Sequence, residues 1–462
     1  MEHKFFTFHG AGRDVLRCFQ DEPFAFLLES SLLDKSRGRY SFVGFDPFFV
    51  FESKGSDTLT HLREQFLCYR SRLPEKGKGP VPFSCGIVGV LGYEFGLPLE
   101  NVRGQSKEDL LVPDCCFGFY DSVVVVDHLK HRLHVCSSGL PEKNYARQEK
   151  RAASRLKKIL KKLEPLSVKE SYACRGPSLG NQINLQSNFT KKEYLQAVRK
   201  ALSYIRQGEI YQVNLSQRFC FDAASFEGSV HPVDVYDALT QISPSCFGGY
   251  FDGGDFQVIS SSPERFLRVR GRKVETRPMK GTRPRGATLR EDSLRKQELT
   301  GSPKDMAELL MITDLERNDL GRVCQYGSIN VRQMRTIEEY STVFQATSSI
   351  EGRLRKGKDC FDVLRASFPG GSITGCPKIR AMQIIDELEP SPRSVYTGAL
   401  GYISFRENMD FNILIRTLLF HQGKAYFHVG GGIVADSTPE GEYQETLVKA
   451  KAMKECLQRI FV

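Results

Sequence analysis

The chain has 462 residues, of which 40% are hydrophobic and 26% charged, so it can bury a large core. This composition excludes disordered, collagenous and coiled-coil proteins. The formal net charge of +10 is spread along the chain and does not require a nucleic-acid partner. Thirteen cysteines occur without a C-x-x-C pair, which favours free thiols in a reducing compartment.

Neither a membrane span nor a signal peptide is indicated. No uncharged apolar run approaches the roughly 18 residues that a membrane span needs. Residues 1–14 lack the apolar core of a signal peptide. We therefore expect a cytoplasmic protein without nucleic-acid or membrane partners.

The first part of the chain, residues 1–165, reads as short strands followed by a basic helix. The apolar stretches between turn residues predict strands at Tyr40 to Val43, Phe48 to Phe51, Gly86 to Leu91, Val123 to Val126 and Leu133 to Cys136. Leu156, Ile159 and Leu163 recur at helical spacing among lysines, which predicts an amphipathic surface helix over 151–163. Contact of its basic face with a polyanion or a membrane surface is the less favoured alternative. Residues 166–187 are polar, lack periodicity and are predicted to be a linker.

The second part, residues 188–462, alternates helical and strand-like patterns. The predicted helices are Lys191 to Gln207, Ser302 to Asp319, Ile379 to Glu387 and Pro439 to Arg459. The predicted strands are Gln257 to Ser260, Arg265 to Val269, Leu400 to Ser404, Asn412 to Leu419 and Ala425 to Val429.

Two of these helices carry candidate metal ligands. Each begins with a hydroxyl residue followed by proline, a typical helix start. Glu308 lies on the first helix; Glu442 and Glu445 share a face of the second, with Lys449 one turn further on. Carboxylates from separate helices, without histidine or cysteine, suit Mg²⁺. Solvated surface glutamates would give the same pattern, so both interpretations stay open.

A run of glycines and a lysine-containing loop are candidates for binding and chemistry. Gly430 to Gly432 follow a strand-like stretch, and their amides could approach an anion, although a plain tight turn explains them equally well. Lys280 lies in the turn-rich segment Thr276 to Gly286, where a depressed pKa would make it a nucleophile and full exposure would make it an ordinary basic loop residue. Glu264 ends a strand-like run, and a raised pKa would make it a proton donor.

Several motifs occur in an order and spacing that resembles one known family. They are L-L-E-S (Leu27 to Ser30), G-R-Y-S-F-V-G (Gly38 to Gly44), G-V-L-G-Y-E (Gly89 to Glu94), G-E-I-Y-Q-V-N-L-S-Q (Gly208 to Gln217), S-S-S-P-E-R-F (Ser260 to Phe266), R-N-D-L-G-R-V (Arg317 to Val323), P-G-G-S-I-T-G-C-P-K (Pro369 to Lys378), D-E-L-E-P (Asp386 to Pro390) and G-E-Y-Q-E-T (Gly441 to Thr446). Together with the Lys280 loop they resemble the chorismate-utilising enzymes, which include anthranilate, aminodeoxychorismate, isochorismate and salicylate synthases. The resemblance covers nearly the whole chain.

The resemblance implies a fold and a set of site residues. The fold would be a large α+β body in which antiparallel β-sheets pack together and helices surround them. Glu264 would be the general acid that protonates the departing ring hydroxyl, and Mg²⁺ would lie on Glu308 and Glu445, with Glu442 close by. The implied chorismate-binding residues are Gly281, Thr282, Tyr396, Arg416, Gly430, Gly431, Gly432 and Lys449.

Within the family the chain resembles the branch that makes 4-amino-4-deoxychorismate for p-aminobenzoate and folate synthesis. Isochorismate and salicylate synthases use a water-activating lysine where this chain has Gln212, so the resemblance disfavours water as the nucleophile. Lys280 stands where anthranilate synthases typically have alanine, and the resemblance implies that it attacks the ring before ammonia displaces it. The stretch M-D-F-N-I (Met409 to Ile413) also resembles that branch.

Two departures keep alternatives open. Gln345 replaces a family histidine that is associated with pyruvate elimination, and Gln241 to Cys246 depart from the family's tryptophan-pocket motif. The alternatives are an anthranilate synthase component and a non-catalytic chorismate-binding subunit. Because the chain has no G-x-C-x-G nucleophile motif of a glutaminase, a separate glutamine amidotransferase subunit is expected to supply the ammonia.

Overall fold

Two large antiparallel β-sheets lie at the centre of the molecule and helices cover them, as predicted for the α+β fold. The computed structural model describes residues 1–32, 38–73, 79–104, 108–167, 183–224, 230–340 and 343–461. Within these ranges the strands are β1 (Glu2–Thr7), β2 (Phe26–Glu29), β3 (Tyr40–Gly44), β4 (Phe49–Ser53), β5 (Gly86–Leu91), β6 (Cys115–Tyr120), β7 (Ser122–Asp127), β8 (Arg132–Ser137), β9 (Gln186–Ser187), β10 (Gln212–Asp222), β11 (Phe247–Asp252), β12 (Phe256–Ser262), β13 (Arg265–Arg270), β14 (Lys273–Thr276), β15 (Met279–Pro284), β16 (Asn330–Glu339), β17 (Val343–Arg353), β18 (Gly375–Cys376), β19 (Ala399–Ser404), β20 (Met409–Asn412), β21 (Thr417–His421) and β22 (Lys424–Ile433). The α-helices of the same ranges are α1 (Gly12–Arg17), α2 (Thr58–Arg70), α3 (Gly96–Leu99), α4 (Tyr145–Lys162), α5 (Lys191–Arg206), α6 (Pro232–Ile242), α7 (Leu289–Gly301), α8 (Pro303–Gly321), α9 (Cys360–Ser367), α10 (Lys378–Leu388) and α11 (Pro439–Phe461).

Each sheet mixes strands from both parts of the chain. The first sheet has the order β1-β8-β7-β3-β2-β11-β12-β21-β22-β10-β18, with β9 paired to β10. The second has the order β15-β17-β14-β13-β20-β19-β5-β6-β4, with β16 paired to β17. The predicted boundary at 166–187 therefore does not separate the sheets. Most of the predicted linker, residues 168–182, lies outside the described residues, and its end forms β9.

The run of valines in β7 shows how the layers pack. Val123 and Val125 face the cluster between the two sheets, which also contains Val88 of β5. Val124 and Val126 point the other way, into a cluster shared with helices α1, α4, α6 and α11. Because side chains alternate along a strand and both faces are covered, the strand is apolar throughout.

Helix α4 is the predicted amphipathic surface helix. Its apolar side chains pack on the first sheet. Two pairs of lysines on successive turns are exposed, namely Lys157, Lys158, Lys161 and Lys162. No helix in the described part of the chain combines the length and the apolar character needed to cross a membrane.

Three predicted elements differ from the observed ones. The single strand Asn412 to Leu419 is wrong, because the chain leaves the second sheet after β20 and enters the first sheet at β21; Arg416, between them, has φ +52°. The turn-rich segment around Lys280 contains strand β15, which pairs with β17. The tight-turn alternative for Gly430 to Gly432 is also wrong, since these glycines lie inside β22 and pair with β10.

Candidate active site

Several of the predicted site residues, Lys280 and the glutamates among them, lie together where β15 of the second sheet approaches β22 of the first. Strands β22 and β10 lie near the end of the first sheet, and β15 and β17 lie at the end of the second. Helix α8 packs on β15 and β17, while α11 packs on β22. The site is therefore assembled from both sheets and from the two helices that carry the predicted glutamates.

Gly432 allows two functional side chains to approach the backbone of β22. A Cβ atom at this position would lie 2.6 Å from Nε2 of Gln212 and 3.5 Å from Nζ of Lys280. Neither the amide nitrogen nor the amide oxygen of Gln212 has a hydrogen-bond partner among the described residues. A buried amide normally has partners, so Gln212 presents an unused donor and acceptor beside the Lys280 amine.

A β-bulge directs Lys280 into the site. The register of β15 against β17 shifts between Lys280 and Thr282, and Gly281 between them has φ +80°. Such a bulge redirects side chains out of the regular alternation. Burial lowers the pKa of the Lys280 amine below its ordinary value; Glu308 opposes this shift, and the like charge of Lys449 adds to it. The neutral, nucleophilic form of the amine is therefore easier to reach.

The carboxylates of α11 lie over the glycines of β22. Oε1 of Glu442 accepts a 2.6 Å hydrogen bond from the Ser437 hydroxyl, while its buried Oε2 has no partner in the described chain and would lie 2.7 Å from a Cβ at Gly431. Burial raises the pKa of Glu442. Glu445 pairs with Lys449 at 2.7 Å; burial opposes ionisation of Glu445, but the lysine holds its pKa below the ordinary value.

Glu308 extends the acidic cluster from the opposite helix. Burial raises its pKa, and the charges of Lys280 and Lys304 oppose the rise. Lys304 also acts on the pKa values of Glu442 and Glu445, so it faces the same cluster. The sequence interpretation missed Lys304, although its position four residues before Glu308 was an available signal.

These carboxylates fit a partly hydrated Mg²⁺ rather than an all-protein metal cage. The described residues contain no group of three or more His, Cys, Asp or Glu side chains arranged to hold a metal ion. Mg²⁺ commonly binds through one or two carboxylates and completes its shell with water and an anionic substrate. The unpartnered Oε2 of Glu442 is an acceptor of the required kind. The metal assignment stays a prediction.

Glu264 has the environment of a proton donor. It lies on the connection from β12 in the first sheet to β13 in the second, and it is 4% exposed. The hydroxyl of Ser372 donates a 2.6 Å hydrogen bond to its Oε1. Burial raises the pKa of Glu264 to about 7, although Ser372 and Lys280 act in the opposite direction. A carboxyl with this pKa holds a proton at neutral pH for much of the time.

Arg416 and Tyr396 lie on connecting loops, and Tyr396 contacts β22. Arg416 is half-buried, its closest polar side-chain contact is 3.4 Å to the Ser243 hydroxyl, and no carboxylate of the described chain lies within ion-pair distance of it. Tyr396 is buried and stacks on His428 with ring centroids 5.1 Å apart. Neither makes a hydrogen bond or ion pair to Lys280 in the part that the structure describes. Arg416 therefore offers an unpaired cation to an anionic ligand.

A buried ion pair connects two of the segments that carry site residues. Arg393 is 1% exposed and donates hydrogen bonds to both carboxylate oxygens of Glu389, to Ile373 O and to Asn214 O. Glu389 also accepts from the amide and hydroxyl of Ser216 in β10. The pair thus joins β10 to the loop that carries Ser372. Its i, i+4 spacing was visible in the sequence, but full burial of both charges was not.

Gln345 and Thr282 lie opposite each other on the paired strands β17 and β15. Thr282 is exposed and pairs with Gln345 across β15 and β17. Gln345 is 3% exposed, and its amide oxygen has no partner among the described residues. The residue that departs from the family pattern therefore presents an unused acceptor.

Known proteins resemble the chain over nearly its whole length. A model of chorismate binding enzymes matches residues 28–455. Anthranilate synthase component 1 of Acetivibrio thermocellus is 38% identical, with 96% of this chain and 92% of the relative covered. Aminodeoxychorismate synthase component 1 of Bacillus subtilis (strain 168) is 37% identical, with 92% and 91% covered.

A solved structure supports the same assignment. The crystal structure of anthranilate synthase component I from Streptococcus pneumoniae TIGR4 matches with a TM-score of 0.79 and 30% sequence identity, and covers 92% of this chain and 94% of its own. The motifs in the sequence, the two-sheet fold and these matches agree. The chain belongs to the chorismate-binding enzyme family, whose members use chorismate as a substrate.

Proposed function

We propose that the protein is a chorismate-aminating subunit that converts chorismate and ammonia to 4-amino-4-deoxychorismate. The observation that carries this proposal is the Lys280 amine, whose Nζ would lie 3.5 Å from a Cβ at Gly432 and whose pKa burial lowers. An amine in this state is a nucleophile. Gln212 beside it has a neutral amide that cannot take a proton from water, which favours an amine over water as the attacking group.

The reaction divides into two exchanges at the chorismate ring. The Lys280 amine forms a bond to the ring while the bond from the ring to its hydroxyl group breaks. Glu264 transfers its proton to the departing oxygen, so that water leaves and Glu264 becomes a carboxylate. Ammonia then forms a bond to the ring and the bond to Lys280 breaks, which restores the free amine. Glu264 regains a proton from the ammonium ion that supplies the ammonia, and the enolpyruvyl ether stays intact.

Cations and backbone groups hold the dianionic substrate in this proposal. Arg416 and Lys449 pair with its carboxylates, because charged hydrogen bonds to carboxylate are the strong ones. The remaining substrate contacts are proposed at Gly281, Thr282, Tyr396, Gly430, Gly431 and Gly432. Glu308 and Glu445, with Glu442 close by, would hold Mg²⁺, which would neutralise and orient a substrate carboxylate.

Anthranilate synthase is the second candidate, because relatives of that name are as similar as those that make aminodeoxychorismate. It predicts anthranilate and pyruvate as products. In either case we propose that a glutamine amidotransferase subunit delivers ammonia. The buried amide of Gln345 cannot act as a general base, which favours a reaction that ends before pyruvate is eliminated.

The Lys280→Ala variant tests the proposed role of the lysine. Purified protein is incubated with chorismate and Mg²⁺ without ammonia, and the intact protein and its peptides are weighed by mass spectrometry. The wild-type chain should gain the mass of chorismate minus water on the peptide that contains Lys280, and the variant should not. Lys273→Ala is the matched control and should retain the adduct, because Lys273 is a surface lysine of β14 that pairs with Glu351 of β17. An adduct of that mass in Lys280→Ala would contradict the proposal.

A further inference from the structure

A second buried carboxyl group lies behind Glu264. Glu316 on α8 is 6% exposed, and its Oε2 lies 2.7 Å from the hydroxyl oxygen of Thr276. The same hydroxyl oxygen lies 2.7 Å from the carbonyl oxygen of Phe266, two residues after Glu264. Three oxygen atoms are thus joined by two short contacts around one hydroxyl group.

The proton count of these contacts favours one protonation state of Glu316. A threonine hydroxyl has one proton to donate, and a carbonyl oxygen can only accept. Both contacts are hydrogen bonds if Thr276 donates to Phe266 O and a protonated Glu316 donates to Thr276. With an ionised Glu316, the single Thr276 proton would have to be shared between two acceptors, which would weaken both hydrogen bonds. The geometry therefore favours a neutral carboxylic acid.

The charged groups around Glu316 agree with this state. The charged groups that act on its pKa are Glu264 of the β12–β13 connection, Asp319 of α8 itself and Lys378 of α10. Lys378 is bonded to Asp319 at 2.6 Å, so its charge is paired there, and no cation of the described chain forms an ion pair with Glu316. Burial raises the pKa of Glu316 to about 8; Thr276 opposes the rise, and the Glu264 carboxylate adds to it.

We propose that Glu316 is a positioning residue that works as a neutral acid: its proton anchors Thr276 and the Phe266 backbone, and its lack of charge lets Glu264 become a carboxylate. This inference rests on the proposed function, in which Glu264 gives its proton to the departing hydroxyl. An ionised Glu316 would place two negative charges in one dry pocket, hold the Glu264 proton more tightly and slow its transfer. Turnover therefore falls when Glu316 ionises as well as when Glu264 does.

The Glu316→Gln variant tests the inference, because the amide keeps the donor and is neutral at every pH. We expect turnover at neutral pH to fall far less than the roughly 100-fold or more that loss of a general acid costs. The loss of kcat on the alkaline side should involve two ionisations in the wild type and one in the variant. Glu351→Gln, at an ionised carboxylate that pairs with Lys273 and Arg332, is the control and should keep both ionisations.

An infrared measurement without substrate separates this inference from the proposed function. The wild-type spectrum should contain a carboxylic-acid carbonyl band that disappears as the pH rises through about 8 and is absent from Glu316→Gln. Thr276→Val keeps the carboxyl but removes its acceptor, so it should shift the band. The inference is overturned if the band is missing from the wild type or if Thr276→Val leaves it unchanged. A folded Glu316→Gln that is as inactive as Glu264→Gln, or that keeps two alkaline ionisations, would overturn it as well. If the band behaves as expected and no aminated product forms, the proposed function fails while the neutral state of Glu316 stands.

Discussion

Replacing Gly431 by alanine tests whether the α11 carboxylates work from the position they hold over β22. A methyl group at this buried strand position would lie 2.7 Å from Oε2 of Glu442 and 3.5 Å from Oε1 of Glu445. The first distance is shorter than any normal contact, so Glu442 must move. In the free protein, Glu442 and Glu445 can turn away from the strand and make room for the methyl group. The free-energy penalty then appears when both carboxylates must return to bind metal and substrate.

The expected magnitude follows from the cost of overpacking. Extra methyl groups in well-packed sites cost about 1 to 3 kcal/mol. If the complex bears this cost, kcat/KM for chorismate falls about 5-fold to 150-fold. The Mg²⁺ concentration that gives half-maximal activity should rise at the same time, because the displaced carboxylates are the proposed ligands.

The assay compares kcat/KM for chorismate at saturating ammonium over a series of Mg²⁺ concentrations. Gly301→Ala is the matched control, because no atom lies within 4 Å of a Cβ at that helical position; it should leave both quantities unchanged. A Gly431→Ala variant with kcat/KM within about twofold of the wild type and an unchanged Mg²⁺ requirement would refute the placement of the metal-binding carboxylates.

Two further predictions concern the general acid and the unpaired cation. Glu264→Gln should lower kcat by roughly 100-fold to 10,000-fold. Because the pKa of Glu264 is raised to about 7 and the donor must be protonated, wild-type turnover should fall as the pH rises through about 7, and this dependence should vanish in the variant; an unchanged alkaline limb of kcat would contradict the assignment. Arg416→Gln should raise KM for chorismate much more than it lowers kcat, since the arginine binds the ground state and the transition state alike; steady-state kinetics that show a fall in kcat alone would assign Arg416 to another role.

Much of the fold was accessible from local patterns in the sequence. Helices α5, α8, α10 and α11 begin and end within two residues of their predicted bounds. Their caps explain this accuracy: α5 begins with a Thr190–Glu193 capping box and α8 with Ser302 followed by proline. Strand β5 matches its prediction because a run of apolar residues between turn signals can only be buried.

The misjudged elements depend on contacts between distant parts of the chain. Strand β15 contains Gly281, Arg283 and Pro284, which local preference assigns to turns, and only its pairing with β17 makes it a strand. Gly430 to Gly432 lie within a strand because they pair with β10, and side chains from three other elements leave little room for a Cβ atom there. The break near Arg416 arises because the chain changes sheets there. None of these causes is visible within a short window of sequence.

In the candidate site, too, some residues could be predicted from local sequence and others depend on long-range contacts. Glu308, Glu442, Glu445 and Lys280 could be singled out from spacing and turn chemistry, and the fold brings them together. Glu316 was missed because its side chain is one of many acidic groups on a helix, and its neutral state depends on the position of Thr276 some forty residues away. The role of such a carboxyl group depends on its hydrogen-bond partner, and that partner is identified only in the folded structure.

Product identification tests the central claim most directly. Purified protein is incubated with chorismate, Mg²⁺ and ¹⁵N-ammonium at neutral pH, and the products are identified by mass spectrometry. We expect a ¹⁵N-labelled aminated product that retains its enolpyruvyl group, with no pyruvate released. Labelled anthranilate together with pyruvate would contradict it and establish the second candidate, and unchanged chorismate would contradict both.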